Sequence, residues 1–170
     1  HDQVGNRALG DRLPPEARPL AAFLTVLSPF TPMIFQGEEY GERAPFQFFT
    51  DHIDPFIADA TREGRRREFA SFTSFSAEDI PDPQDPATFE RSRLDWSEPD
   101  REPHARLLRW YRDLLALRRD RPDLRDPRLD RVSVTWQDRR LRSVRGSCTV
   151  LVNLAGDAWT CEVDGDDVPL

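Results

Sequence analysis

The chain has 170 residues, 38% of them apolar and 32% charged, which is typical of a globular protein with a large polar surface. It is too short for a complete (β/α)8 barrel, which needs about 250 residues. A formal net charge of -7 argues against nucleic-acid binding, because an acidic surface repels phosphate, and the longest apolar stretch, residues 20–30, is too short to cross a membrane.

The first 42 residues follow the order loop, helix, strand, loop. Residues 1–13 are polar and predict a loop, and two prolines followed by Glu16 predict the start of a helix. Apolar spacing predicts a mostly buried helix over residues 16–27. The apolar run 33–35 predicts a strand buried on both faces of a parallel sheet, followed by the polar loop 36–42. This order is typical of one repeat of an α/β barrel, in which the loops after the strands carry the chemistry.

Residues 43–103 are rich in proline, aspartate and phenylalanine and lack regular periodicity, which predicts a long insertion packed over a core. Within it, a short helix is expected at 62–72. Because all 24 basic residues of the chain are arginine, a general compositional bias explains the run of three at 65–67. We interpret that run as a solvated helix face rather than as an anion site.

The last third of the chain predicts one long helix and then antiparallel strands. Amphipathic spacing predicts a helix over residues 102–121, ended by Pro122. Alternation from about residue 130 predicts strands, the last of them around Trp159, Cys161 and Val163. We therefore expect an α/β fold in two domains. Residues 1–123 would form the last part of a (β/α)8 TIM barrel, with an insertion at about 43–103, and residues 124–170 part of an antiparallel β-sandwich domain.

The chain opens on a dense group of polar residues, His1-Asp2-Gln3-Val4-Gly5-Asn6-Arg7. Carboxylates and amides bind sugar hydroxyls through directional hydrogen bonds, and a carboxylate near the reacting carbon stabilises an oxocarbenium-like transition state. From these residues alone, a polar loop with a helix-capping aspartate is an equally good interpretation. Since the chain opens within this motif and its last strands look unfinished, we expect the natural protein to extend beyond both ends.

A second motif begins about 30 residues downstream, in the segment 31–41, which ends in Gly37-Glu38-Glu39-Tyr40-Gly41. In this order and spacing, the two motifs resemble the seventh and eighth strand region of the alpha-amylase superfamily. The segments 45–52, 62–69 and 81–86 are similar in particular to the malto-oligosyltrehalose trehalohydrolase family. The resemblance is strong over residues 1–120 and weak over the β part.

The resemblance implies a glycosidase of trehalose biosynthesis. Such an enzyme cleaves the α-1,4-glucosidic bond next to the terminal trehalose of malto-oligosyltrehalose by a retaining double displacement. Asp2 matches the family's transition-state stabiliser and His1 the residue that bonds a hydroxyl of the cleaved sugar. Gln3, Val4, Gly5 and Asn6 match the family's loop that lines the substrate. Because the family's nucleophile and acid/base residue match nothing in this chain, we expect the chain alone to be inactive.

The resemblance also implies a cytoplasmic enzyme whose partner is malto-oligosyltrehalose or a related α-glucan, with no cofactor, no nucleic acid and no membrane. Cys148 and Cys161 lack the spacing of a metal site or of a disulfide framework, so free thiols and no metal are expected.

Two other functions fit the sequence less well. One is another enzyme of the superfamily, such as a glycogen branching enzyme, and the other is a non-catalytic carbohydrate-binding module. Some further residues are weaker candidates for substrate contact, with a structural role equally or more plausible: Glu38, Glu39, Asp51, His52, Phe46, Phe48 and Trp96. His104, at the start of the long helix, is expected only to face solvent.

Overall fold

The structure is a computed structural model that describes residues 4–70 and 79–161. Backbone proximity divides the chain into two compact units. One comprises His1–Pro19 and Ile34–Leu108, and the other comprises Leu20–Met33 and Arg109–Leu170. Among the described residues, no helix combines the length and the apolar character that a membrane crossing requires. A domain boundary near residue 123 stays a prediction.

Five α-helices occur in the described part of the chain. They are α1 (Arg18–Leu27), α2 (Pro55–Phe69), α3 (Pro86–Arg91), α4 (His104–Asp120) and α5 (Pro122–Arg125). Short 3-10 turns lie at Pro15–Ala17, Glu38–Tyr40 and Leu129–Arg131. The long helix predicted at 102–121 is confirmed as α4, and the short helix expected at 62–72 is the second half of the longer α2.

Local capping explains why α2 and α3 begin where they do. The Asp54 carboxylate accepts a hydrogen bond from the backbone N–H of Phe56 at 2.8 Å, and the Asp85 carboxylate accepts one from Ala87 at 2.9 Å. Each helix has proline in its first turn, where a backbone N–H is not needed. Segment 43–103, predicted as an insertion without periodicity, therefore contains two well-capped helices.

The predicted helix at 16–27 is confirmed, as a 3-10 turn that continues into α1. The prediction that it is mostly buried is wrong. Only Ala22, Val26 and Leu27 are buried, whereas Leu20 and Leu24 are partly exposed. Val26 and Leu27 follow Ala22 by four and five residues, so the three side chains lie on one side of the helix, which makes α1 amphipathic.

The strand predicted at 33–35 is wrong: the backbone there is irregular, and Met33 is 86% exposed. A strand exists only where a neighbouring strand pairs with it, and no strand pairing involves these residues in the described part of the chain. The backbone of Phe35 bonds Glu38 instead, its N–H donating to the carboxylate at 3.0 Å and its carbonyl accepting from the N–H at 2.9 Å.

The second unit contains a three-stranded antiparallel sheet, which confirms the strands predicted after residue 130. It is ordered β1 (Val132–Gln137), β2 (Arg140–Arg145), β3 (Cys148–Asn153). Asp138 and Arg139 both have positive φ, so β1 and β2 join through a two-residue turn whose twist suits a hairpin. The strand predicted at 159–163 is not present at Trp159 or Cys161, and Val163 lies outside the described residues.

A buried arginine ties the sheet to the helices of the same unit. Arg145, at the end of β2, is only 2% exposed. Its Nη1 donates to the carbonyls of Leu27 and Ser28 at 3.0 and 2.9 Å, and its Nη2 to those of Leu124 and Asp126 at 2.9 and 3.1 Å. Arg145 thus bonds carbonyls at the end of α1 and around α5, which helix geometry leaves without partners. The Ser28 carbonyl also accepts from Arg118 at 2.6 Å.

We expect Arg145→Leu to lower the free energy of unfolding of the full chain by about 3 kcal/mol, because it leaves the buried carbonyls of Leu27 and Leu124 without this donor. Urea denaturation followed by circular dichroism measures this loss. Arg142→Leu is the matched control, since Arg142 lies on the same strand and its guanidinium makes no hydrogen bond or ion pair to the described residues. Equal losses in the two variants would contradict the role assigned to Arg145.

Candidate functional site

Three of the predicted site residues, His1, Asp2 and Gln3, lie outside the described residues. The other three begin a tight loop, residues 4–10, in which Val4 and Gly5 are buried and Asn6 is exposed. The N–H of Arg7 donates to the carbonyl of Val4 at 3.2 Å, and the N–H of Gly10 donates to the carbonyl of Arg7, also at 3.2 Å. We call residues 4–10 the substrate loop, because the sequence predicts substrate contact for Val4, Gly5 and Asn6; that contact stays a prediction.

The end of the substrate loop is pressed against residues 46–47. The carbonyl of Gly10 accepts a hydrogen bond from the backbone N–H of Phe46 at 2.8 Å, and Nε2 of Gln47 donates to the carbonyl of Leu9 at 3.4 Å. Gly10 has a φ of +67°, and a Cβ at this position would lie 2.3 Å from the Phe46 carbonyl oxygen. Only glycine fits this conformation and this close approach.

The interpretation of the arginine run 65–67 as a solvated helix face is wrong for its first member. Arg66 and Arg67 are exposed, but Arg65 is only 8% exposed. Consecutive residues on a helix point about 100° apart, so three adjacent arginines cannot all lie on one face.

Arg65 contacts two aromatic rings, those of Phe48 and Phe69, and also the substrate loop. Its guanidinium carbon lies 4.9 Å from the ring centre of Phe48 and 4.7 Å from that of Phe69. Nη1 forms an ion pair with Glu68 at 2.9 Å, and Nη2 donates to the carbonyl of Arg7 at 3.3 Å. A planar cation suits such a site, because its faces stack on rings while its edge donates hydrogen bonds.

A separate cluster of hydrogen bonds is centred on the carboxylate of Glu42. This residue is 1% exposed, and the sequence analysis does not single it out. Oε1 accepts from the backbone N–H groups of Arg43 at 2.7 Å and Ala44 at 2.8 Å. Oε2 accepts from the hydroxyl of Tyr40 at 2.9 Å and from the N–H of Asp95 at 2.7 Å. Burial raises the pKa of this carboxyl, but the four hydrogen bonds outweigh it, so the pKa is lowered overall.

The loop around this cluster is shaped by two glycines in the left-handed region. Gly37 and Gly41 flank the 3-10 turn Glu38–Tyr40, with φ of +81° and +75°. Glu38 bonds the backbone of Phe35, which is a structural role, while Glu39 is half-buried. Substrate contact by Glu38 or Glu39 stays a prediction.

The expectation that His104 faces solvent is wrong, because its side chain is buried, with the residue 5% exposed. Nδ1 lies 2.8 Å from the carbonyl oxygen of Tyr40, to which it donates, and Nε2 lies 3.5 Å from the Glu98 carboxylate. The histidine thus joins the first turn of α4 to the turn that precedes Glu42. A polar residue at a helix start gives no signal in the sequence that distinguishes this contact from exposure.

The remaining candidates divide into packed and exposed side chains. Phe46 packs edge-on against Phe35 at 5.0 Å and against Phe49 at 5.8 Å, so its observed role is packing. Trp96 is exposed, as are Asp51 and His52. Their contact with a sugar stays a prediction.

Comparisons with known proteins give a consistent result. The chain is 46% identical over 172 residues to malto-oligosyltrehalose trehalohydrolase of Mycobacterium tuberculosis, a match covering 98% of this chain and 30% of that protein. The proteins of the same name from Arthrobacter ramosus and Brevibacterium helvolum are 57% and 50% identical over 72% and 91% of this chain. The chain spans 22% and 27% of their lengths. No protein-family profile matches the chain.

A solved structure is also similar. It is a protein of Salmonella typhimurium provisionally described as an alpha amylase, with a TM-score of 0.83 and 35% identity over 98% of this chain and 30% of that one. The chain is therefore part of an alpha-amylase-like fold. Its sequence groups more narrowly with the malto-oligosyltrehalose trehalohydrolases, which confirms the resemblance of the motifs.

We expect Glu42→Gln to destabilise the full chain by about 2 kcal/mol at neutral pH, because an amide group points a donor at N–H donors and loses the charge-assisted hydrogen bonds. Thermal and urea denaturation measure the effect. Glu39→Gln, at a half-buried carboxylate with no hydrogen bond to the described residues, is the matched control.

The same variant tests the lowered pKa of Glu42. A carboxyl whose pKa is lower in the folded state contributes stability above its ordinary pKa of 4.5 and loses that contribution as the pH falls through the folded pKa. The difference in unfolding free energy between wild type and Glu42→Gln should therefore shrink between pH 6 and pH 3. A difference that stays constant over this range would contradict the assignment.

Proposed function

We propose that this chain is part of a glycosidase that cleaves the α-1,4-glucosidic bond next to the terminal trehalose of malto-oligosyltrehalose and so releases trehalose. The observation that carries the proposal is the 46% identity to the M. tuberculosis trehalohydrolase over 98% of the chain. Because the chain spans only 30% of that protein, the activity belongs to the whole protein of which this chain would be a segment.

In this proposal, residues 1–123 form the last part of a (β/α)8 barrel and residues 124–170 part of a β-sandwich domain. The likeness to an alpha-amylase-type structure supports the barrel. The three-stranded antiparallel sheet supports the second domain. The enzyme acts in the cytoplasm, in trehalose biosynthesis, and its chemistry uses no cofactor.

The proposed reaction is a retaining double displacement by two carboxyl groups about 5–5.5 Å apart, neither of which this chain supplies. Asp2 stabilises the positive charge that develops at the reacting carbon, and His1 bonds a hydroxyl of the same sugar. The residues Gln3, Val4, Gly5 and Asn6 line the substrate. The exposed amide of Asn6 supports this placement, since it is open to a ligand.

In the complete enzyme, Asp2→Asn should lower kcat by about 100-fold or more with a smaller effect on KM, because an amide does not stabilise a developing positive charge. Steady-state release of trehalose from malto-oligosyltrehalose measures both constants. Asp11→Asn is the matched control, since the Asp11 side chain is exposed and its ion pair with Arg7 is a surface interaction of small energy. An unchanged kcat in Asp2→Asn would refute the assigned role.

The chain alone should release no trehalose, because Asp2 by itself supplies neither a nucleophile nor a proton donor. Incubating the purified chain with malto-oligosyltrehalose and analysing the products by chromatography tests this expectation. The intact enzyme under the same conditions is the positive control. Trehalose release by the chain alone would mean that the catalytic groups lie within these residues.

A second candidate is hydrolysis of unmodified α-glucans, which is favoured by the likeness to a structure described as an alpha amylase. Incubating the intact enzyme with malto-oligosyltrehalose and with amylose separates the candidates. Free trehalose as the main product supports the first, and short maltooligosaccharides from amylose support the second. New branch points in amylose would instead identify a branching enzyme.

A further inference from the structure

We propose that Arg65 is a positioning residue, through which helix α2 sets the backbone of the substrate loop for catalysis. The inference rests on the proposed function, because the loop matters for the reaction only if its residues line a sugar site. It concerns α2, which belongs to the segment 43–103 that the sequence predicts as a long insertion packed over a core.

The substrate loop depends on that segment for its hydrogen bonds. Within the loop, two backbone bonds of 3.2 Å close the turns. Three donors from outside the loop bond its carbonyls: Arg65 that of Arg7, Gln47 that of Leu9, and the N–H of Phe46 that of Gly10. The geometry of the loop therefore depends on residues 46–69 as well as on its own turns.

Apolar packing supports the same contact. Ala8, in the middle of the loop, forms a buried cluster with Phe69 at the end of α2 and with Ile80. Phe69 is also one of the two rings on which Arg65 stacks. The end of α2 therefore holds the loop at two adjacent residues, Arg7 by a hydrogen bond and Ala8 by packing.

Arginine is the only side chain that meets all these contacts at once. It stacks on two rings, pairs with Glu68 through one nitrogen and bonds the Arg7 carbonyl through another. A lysine ammonium keeps the charge but has no planar face and no fork. Because the Glu68 side chain is half exposed, its ion pair with Arg65 adds little energy.

The test compares Arg65→Lys and Arg65→Met with wild type in the complete enzyme. We expect kcat for trehalose release to fall about 10- to 100-fold in Arg65→Met and less in Arg65→Lys, since small displacements of substrate-positioning groups have effects of this size. Rates are expressed per folded molecule, so that a loss of stability alone does not change them. Amide hydrogen exchange of a peptide covering residues 4–10 should be faster in both variants.

Two further variants serve as controls. Arg66→Met changes an exposed arginine of the same helix, and Glu68→Gln removes the ion pair but leaves the bond to Arg7. Both should keep wild-type kcat and wild-type exchange in the loop. If Arg65→Met fails to fold, Arg65→Lys decides the question by the same two measurements.

The outcomes separate this inference from the proposed function. Unchanged kcat in the Arg65 variants overturns the inference, whether or not the loop exchanges faster, and so does unchanged exchange in the loop. If wild-type enzyme releases no trehalose, the proposed function fails and the catalytic part of the inference fails with it. In that case, faster exchange in the Arg65 variants still shows that Arg65 holds the loop.

Discussion

Three buried charged side chains, Glu42, Arg65 and Arg145, bond backbone polar groups of loops in the described part of the chain. A buried N–H or carbonyl without a partner is costly, and irregular segments cannot pair their own as a helix or sheet does. Glu42 accepts from three backbone N–H groups, and Arg145 donates to four carbonyls. Arg65 plays the same part for the substrate loop. In both units, then, buried charged side chains supply hydrogen bonds that irregular backbone cannot make with itself.

The elements that the sequence predicts correctly are those whose cause is local. Helix α4 has its apolar stripe within its own residues, and the hairpins of the sheet have alternation and turn residues close together in sequence. The segment 33–35 fails for the opposite reason. Its composition suits a buried strand, but strand formation needs a pairing partner, and composition within three residues carries no information about one.

The candidate site was predictable as a set of motifs but not as a set of contacts. The motifs around His1-Asp2 and Gly37 indicate the family because residue types and order suffice for that. Glu42, Arg65 and His104, by contrast, contact residues that lie 53 to 64 positions away along the chain. Because most charged residues lie on the surface, the sequence alone predicts that each of these three side chains is exposed, and only the fold shows its buried partner.

The contacts that hold the substrate loop bear on function, because we propose that this loop lines the substrate. Loops carry binding groups because a scaffold positions them, and a loop with few internal bonds needs a scaffold that reaches it directly. Here that scaffold is the segment from Phe46 to Phe69, which supplies donors to three loop carbonyls and packing for Ala8. Gly10 permits the close approach that brings the two together. If the loop lines the sugar site, as we propose, residues 46–69 help to set where its binding groups lie through these contacts.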